Sequence, residues 1–269
     1  MGYQRSIPTR ARQSILSDII VETGPASVLG AFFLHVELES RRRGVALEFC
    51  SPENLVEANE ANRQSWMPLV PMFNPKYGVI NTANSFSVIG RNAKDEAVTA
   101  NSIIKYDWTD TDFVEEATSL RLFYRDPRVM RQPGEECIIT SSRARCIRGS
   151  AAFSGAAWVR QDYRGLGLSK LLPRFIKAYA AARWHLDVIF GMMAEAVARR
   201  GLAPLFGYDH VDWEAQWKNS IVGTLRLAIL WTDVDHLARD LSGVLTGASA
   251  QIDARVLEGD TQKARALRQ

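Results

Sequence analysis

The residues best equipped for chemistry lie close together, in the run Val159–Lys170, VRQDYRGLGLSK. Arg164 offers a planar fork of donors suited to phosphate or carboxylate oxygens. Gly165 and Gly167 lack the Cβ atoms that would hold a ligand away from the backbone. From Leu168 onward the apolar residues Leu168, Leu171, Leu172, Phe175, Ile176 and Tyr179 fall on one face at helical spacing. Upstream, the small and apolar residues from Ala156 to Val159 suit a buried strand. A strand, a glycine turn and an amphipathic helix leave unpaired amides at a positive dipole end, and such a start binds anions, phosphates above all. The nucleoside-triphosphate loop G-x-x-x-x-G-K-[ST] does not fit this run. The dinucleotide fingerprint G-x-G-x-x-G fails too, because Lys170 stands at its third glycine. An ordinary strand–turn–helix in which the glycines only make the turn has the same local pattern, so the surroundings must decide.

The spacing that does fit is R-x-x-G-x-[GAS], with Arg164, Gly167 and Ser169, preceded by V-x-x-x-Y-R-G from Val159. It resembles the acetyl-CoA-binding motif of the GNAT superfamily of N-acyltransferases. The resemblance implies that Gly165, Leu166, Gly167, Leu168 and Ser169 form the pyrophosphate loop with Arg164. It also implies that backbone near Trp158 and Val159 holds the acyl carbonyl. In that family an amine attacks the thioester of an acyl-CoA directly, so the expected co-substrates are acetyl-CoA or another acyl-CoA and an amine on a small molecule, peptide or protein.

Three demands follow from that chemistry. The carbonyl oxygen needs a backbone donor as charge develops on it. The amine must be neutral, and an alkylamine is only about 0.04% neutral at pH 7, so a base or desolvation has to help. The thiolate must leave, which its pKa of about 8.5 makes easy even without an acid. The chain departs from the family at the last two. With Gly207–Tyr208 placed on the family's Gly-aromatic pair, Ala203 stands where many members have a tyrosine acid and Ala196 where many have an asparagine. The central strand, 150–158, contains no carboxylate. Catalytic residues therefore stay unassigned, and a GNAT-like module that binds acyl-CoA with little turnover is the second reading. Asp209, His210 and Asp212 read as a solvated loop; one histidine between carboxylates is not a metal motif.

Composition bounds the class. The chain has 269 residues, 46% hydrophobic and 23% charged, as in soluble globular proteins. A net charge of +3, with no basic run longer than Arg41–Arg43, does not argue for nucleic acid, and the triplet reads as a solvated helix or turn end. Cys50, Cys137 and Cys146 show neither disulfide nor zinc spacing, which favours a reducing compartment. No signal peptide and no membrane span is expected, and a cytoplasmic location follows.

The elements that must position the motif read in a consistent order. Strands are expected at 44–50, 86–91, 97–108, 138–140, 150–158, 186–193, 211–218 and 222–231. The pair 86–91 and 97–108 should make a hairpin. Ser51 and Pro52 should open a helix running to Trp66; Thr111 or Asp112 should open one reaching Phe123; residues 194–200 and 233–241 should be short helices. His35 lies in the apolar run 28–38, a helix or strand, and reads as packed. The loop Pro68–Tyr77, with Trp66, Phe73, Tyr77 and Trp108 near it, lines a pocket or packs as a connector. The order resembles the GNAT fold, implying a mixed, mostly antiparallel α/β sheet flanked by helices over 44–231. Residues 1–43 form an N-terminal extension and 232–269 a C-terminal helical one, its polar tail from Gln251 mobile; these could cover an edge strand or mediate a homodimer.

Overall fold

The computed structural model describes residues 13–247. Its centre is an eight-stranded sheet in the order β1-β2-β3-β5-β6-β8-β7-β4. The strands are β1 (Ala46–Cys50), β2 (Ser85–Arg91), β3 (Ala97–Trp108), β4 (Glu136–Ile139), β5 (Gly149–Val159), β6 (Val188–Ala194), β7 (His210–Ser220) and β8 (Gly223–Asp233). Every neighbouring pair is antiparallel except β5 and β6, which run parallel at the middle of the sheet. This is a mixed, mostly antiparallel α/β fold, and its strands follow the expected ones closely.

Helices cover both faces. On one face α1 (Ala26–Arg42) and α5 (Leu168–Arg183) share a core with Leu237 and Leu241 of α8, the helix over 234–247. α1 forms because Leu29, Phe32, Phe33 and Val36 repeat at i, i+3, i+4 and i+7, and all four are buried. Phe33 meets Phe175 and Tyr179 of α5 edge-on, at centroid distances of 5.5 and 6.3 Å. The opposite face is packed by α3 (Phe113–Thr118) and by Met72, Phe73 and Ile80 of the long connector. α2 (Pro52–Ala61) starts as expected, with Ser51 Oγ accepting from the Asn54 amide at 3.2 Å. Among the described residues, seven short helical pieces complete the set: four 3-10 turns and α4 (Pro127–Met130), α6 (Glu195–Ala198) and α7 (Leu202–Leu205).

Two helices are shorter than their sequence suggests. α2 ends at Ala61 rather than Trp66, where the Asn62 amide nitrogen folds back onto the Ala58 carbonyl at 2.8 Å. α3 ends at Thr118 rather than Phe123, because Leu120 adopts a left-handed φ of 65°. The predicted tail from Gln251 lies outside the described residues.

Candidate functional site

The site is built on a parting of two strands. β5 and β6 pair only at Ala151–Val188, Ala152–Ile189 and Phe153–Phe190. Beyond that point β5 stays with β3 as far as Val159 opposite Thr99, and β6 stays with β8 as far as Ala194 opposite Leu227. The two central strands therefore diverge and leave a wedge in the sheet. Burial reports the same gap: Ala151, Ala152 and Phe153 are buried, whereas Ala157, four residues on in a central strand, is exposed.

A bulge accompanies the divergence. Ser102 stands opposite Gly155 and Ala100 opposite Trp158, so β5 carries one residue more than β3 over this stretch. Ala156 takes up the extra length at a left-handed φ of 51°. Asn101 lies across from the bulge on β3, fully buried, and its Oδ1 has no hydrogen-bond partner. The bulge also decides which amides face the wedge. The Arg160 amide donates to Val98 of β3 at 2.8 Å. Alternation along the strand turns Trp158 toward β3 as well, and turns Ala157 and Val159 toward β6. The Trp158 carbonyl accepts from Thr99 Oγ1 at 2.8 Å on that same side. Its indole is buried against Trp66, rings stacked at 4.7 Å and 3°. Of the two residues expected to hold an acyl carbonyl, Val159 faces the wedge with Ala157, and Trp158 packs away from it.

The glycine turn sits at the mouth of the wedge, directly after β5. Gly165 and Gly167 have φ of 81° and 83°, a region that favours glycine. A Cβ on Gly165 would meet nothing within 4 Å, and one on Gly167 would meet only Arg43 Nη2, at 3.7 Å. The cradle that a phosphate needs is thus open. Gly167 is the N-cap of α5, no side chain caps that end, and no acidic residue lies in the first turn. The helix keeps its positive end for an outside anion. Arg164 is exposed beside the turn, with Nε donating to the Val159 carbonyl at 3.2 Å. Leu166 and Ser169 are exposed; the Leu168 side chain is in the core, so that residue can offer only backbone.

At the closed end of the wedge stands Tyr208. Its hydroxyl donates to the Phe190 carbonyl at 3.5 Å. A Cβ on Gly191 would come within 2.9 Å of both that hydroxyl and the Ser154 carbonyl, so only glycine lets the two meet there. Burial pushes the Tyr208 phenol above its usual range, leaving it neutral. The Gly207–Tyr208 segment is held from α5: Lys177 Nζ donates to the carbonyls of Phe206 and Gly207 at 2.6 and 2.8 Å and lies 3.7 Å from the Tyr208 ring centre.

Among the described residues, none of these contacts brings a carboxylate or histidine to the wedge. Glu195, which follows β6, is bound by Arg199 and by Arg226 at 3.0 Å; the hydrogen bond from Arg199 holds its carboxyl below the usual range. Asp209 lies 3.5 Å from His210 and 3.3 Å from His236, on the β7–β8 side of the sheet. Among the described residues no group of three or more His, Cys, Asp or Glu side chains could hold a metal ion, and no helix is long and apolar enough to cross a membrane. Of the four aromatics named for the connector, Trp66, Phe73 and Trp108 are buried and pack in the core, and Tyr77 is half-buried. A cavity of about 410 Å³, lined by Phe49, Cys50, Phe86 and Tyr179, opens near the other half of α5. Tyr179 is about 18 Å along the helix from Gly167, so this cavity is separate from the turn.

No protein-family model and no curated protein matches the sequence. Solved structures do. The Arabidopsis thaliana protein NAA60 in complex with a bisubstrate analogue is 11% identical, with 70% of this chain and 97% of that one covered at a TM-score of 0.46. A variant of the spermidine N-acetyltransferase of Vibrio cholerae is 10% identical, with 72% and 96% covered at a TM-score of 0.41. The enzyme AAC(6')-Ib in complex with paromomycin and acetyl-CoA is 11% identical, with 73% and 97% covered at a TM-score of 0.40.

Proposed function

We propose that this chain is an acyl-CoA-dependent N-acyltransferase of the GNAT type. The observation that carries the reading is a coincidence of place: the open glycine turn lies at the end of the same strand, β5, that parts from its parallel neighbour. A CoA molecule needs both features. Its diphosphate takes the bare amides at the start of α5, with Arg164 alongside. Its pantetheine arm, itself an amide chain, occupies the wedge and pairs with the strand edges that β5 and β6 no longer offer each other.

The acyl carbonyl then lies beside the bulge, where the amides of Ala157 and Val159 face it. A backbone donor fixed there stabilises the oxygen as it gains charge and needs no reorganisation at the moment of attack. The amine attacks the carbonyl carbon, the C–S bond breaks, and the CoA thiolate leaves. The proton lost by the amine goes to water, since none of the contacts described above places a carboxylate or histidine of the described residues to take it.

The departures from the family pattern, with no carboxylate in the central strand 150–158, support a second reading, an acyl-CoA-binding module with little or no turnover. Ala203 and Ala196 stand at the positions discussed above, and Glu195 is held ionised by two arginines.

Two measurements test these readings. Gly167→Asn keeps a residue tolerant of positive φ but places a side chain in the cradle; calorimetry should show CoA affinity falling at least tenfold (roughly 1.4 kcal/mol). Affinity equal to that of the parent would overturn the site. Thiol release from acetyl-CoA across a panel of amines should exceed hydrolysis for at least one acceptor. Tight CoA binding with no release over the whole panel decides for the module.

A further inference from the structure

Arg43 is the C-cap of α1, 123 residues before Leu166 in the chain. Sequence alone presents it as the last of three solvated arginines. In the fold its guanidinium reaches across to the glycine turn. Nε donates to the Leu166 carbonyl, and Nη1 is held by the Glu39 carboxylate at 2.5 Å and by the Glu39 carbonyl. With those two nitrogens anchored, Nη2 is the one that stands nearest Gly167, 3.7 Å from where its Cβ would be. The side chain is about one-quarter exposed, at 26%. A guanidinium fixed on two sides, with its third nitrogen over an open, side-chain-free turn, has lost most of its rotamer freedom before any anion arrives.

We infer that Arg43 is a phosphate-binding residue of this turn, and that α1 is thereby part of the ligand site. The inference rests on the acyl-CoA reading of the turn given above. The charge arrangement fits it. Arg164 and Lys170 flank the turn within the local sequence, Arg43 adds a third cation from outside it, and Glu39 is the carboxylate holding Arg43. Guanidinium and phosphate form forked, charge-assisted hydrogen bonds. The phosphate chemistry has two sources in CoA, the diphosphate and the 3′-phosphate of the ribose.

The experiment is calorimetric titration of the full chain and its variants with CoA, dephospho-CoA and pantetheine. Arg43→Ala should weaken CoA at least tenfold and leave pantetheine, which has no phosphate, within twofold of the parent. If the loss persists with dephospho-CoA, the contact is to the diphosphate; if it vanishes, the contact is to the 3′-phosphate. Arg43→Gln separates binding from propping: its amide can still donate to the Leu166 carbonyl but carries no charge. Loss in Gln as large as in Ala supports the inference, and Gln matching the parent overturns it, as does an Arg43→Ala affinity within twofold of the parent. The two readings fail differently. A parent that binds no CoA, or binds it as well with Gly167→Asn, removes the acyl-CoA site itself and this inference with it. A parent that binds, a Gly167→Asn that does not, and an Arg43→Ala equal to the parent removes the inference alone.

Discussion

Arg164 joins the two halves of the site, for its Nε rests on the carbonyl of Val159, the last residue of β5, while the side chain is exposed beside the turn. On the proposed reading, a guanidinium placed there would contribute one or two charge-assisted hydrogen bonds to a diphosphate. Arg164→Ala should therefore cost about 1.5–3 kcal/mol of CoA binding, the scale for hydrogen bonds to charged groups. Titration of the variant with CoA checks the value, and an effect confined to the KM of the amine would place Arg164 on the other substrate. The geometry of the turn was legible from residue types because positive φ restricts the choice of residue: Gly165 and Gly167 are glycines where the backbone is left-handed and the space beyond is open. Arg43 was not legible, since nothing local distinguishes it from Arg41 and Arg42 and only the packing of α1 on α5 brings it to the turn. Which amides of β5 face the wedge was not legible for a related reason. The extra residue at Ala156 reverses the alternation, so that Ala157 and Val159, not Trp158, face the wedge, and an alanine in a strand carries no sign of it.

Among the elements, β5 bears the strain. Ala156 at φ 51° is an L-residue in the left-handed region, and the bulge it makes is what turns two amides toward β6. A β-branched side chain tolerates that conformation worse than alanine does. Ala156→Val should lower stability by about 1–3 kcal/mol and, if the strand regularises to relieve the strain, should abolish CoA binding as well. Thermal unfolding and calorimetry on one preparation check both; a variant as stable as the parent would mean the bulge is held by something other than this residue's backbone. Elements as such were largely readable, because alternation in β2, β3 and β8 and the helical spacing of α5 follow from which face is buried. Helix ends were less so. α3 stops at a left-handed Leu120, whereas the signal a reader looks for at such a stop is glycine. α2 stops where the Asn62 side chain turns back on its own last turn, a bond the sequence permits but does not demand.

At the scale of the molecule, three distant segments are tied together beneath the wedge. Arg174 of α5 pairs with Asp240 of α8 at 2.7 Å and donates to carbonyls of Pro204, at 3.1 Å, and Leu205. Lys177, one turn further along α5, holds the next two carbonyls and the ring of Tyr208. Arg174 and Lys177 thus fix the segment 204–208 that closes the wedge, and Asp240 is the carboxylate paired with Arg174. α8 contributes charge to the site's support as well as apolar cover. Burial is the largest influence on Lys177 and pushes its pKa well down, Arg174 pushes the same way, and Asp240 and then Asp209 oppose both. Asp240→Asn should destabilise the fold by about 2 kcal/mol, somewhat less than the loss of a buried partner because the amide oxygen still accepts from Arg174. The sign of the pH dependence follows from Lys177. Its folded pKa lies below the unfolded value of about 10.4, so between the two the unfolded chain binds the extra proton and stability rises with pH. Without Asp240 the folded pKa falls further, and the added penalty is present below the parent's folded Lys177 pKa and is lost as pH rises through it. The deficit of Asp240→Asn relative to the parent should therefore shrink with rising pH as urea unfolding is repeated across the whole range over which the parent folds, up to the unfolded lysine pKa of about 10.4. A deficit that stays constant across that range would mean Lys177 does not feel Asp240, and the support beneath the wedge would then rest on Arg174 and the carbonyls alone.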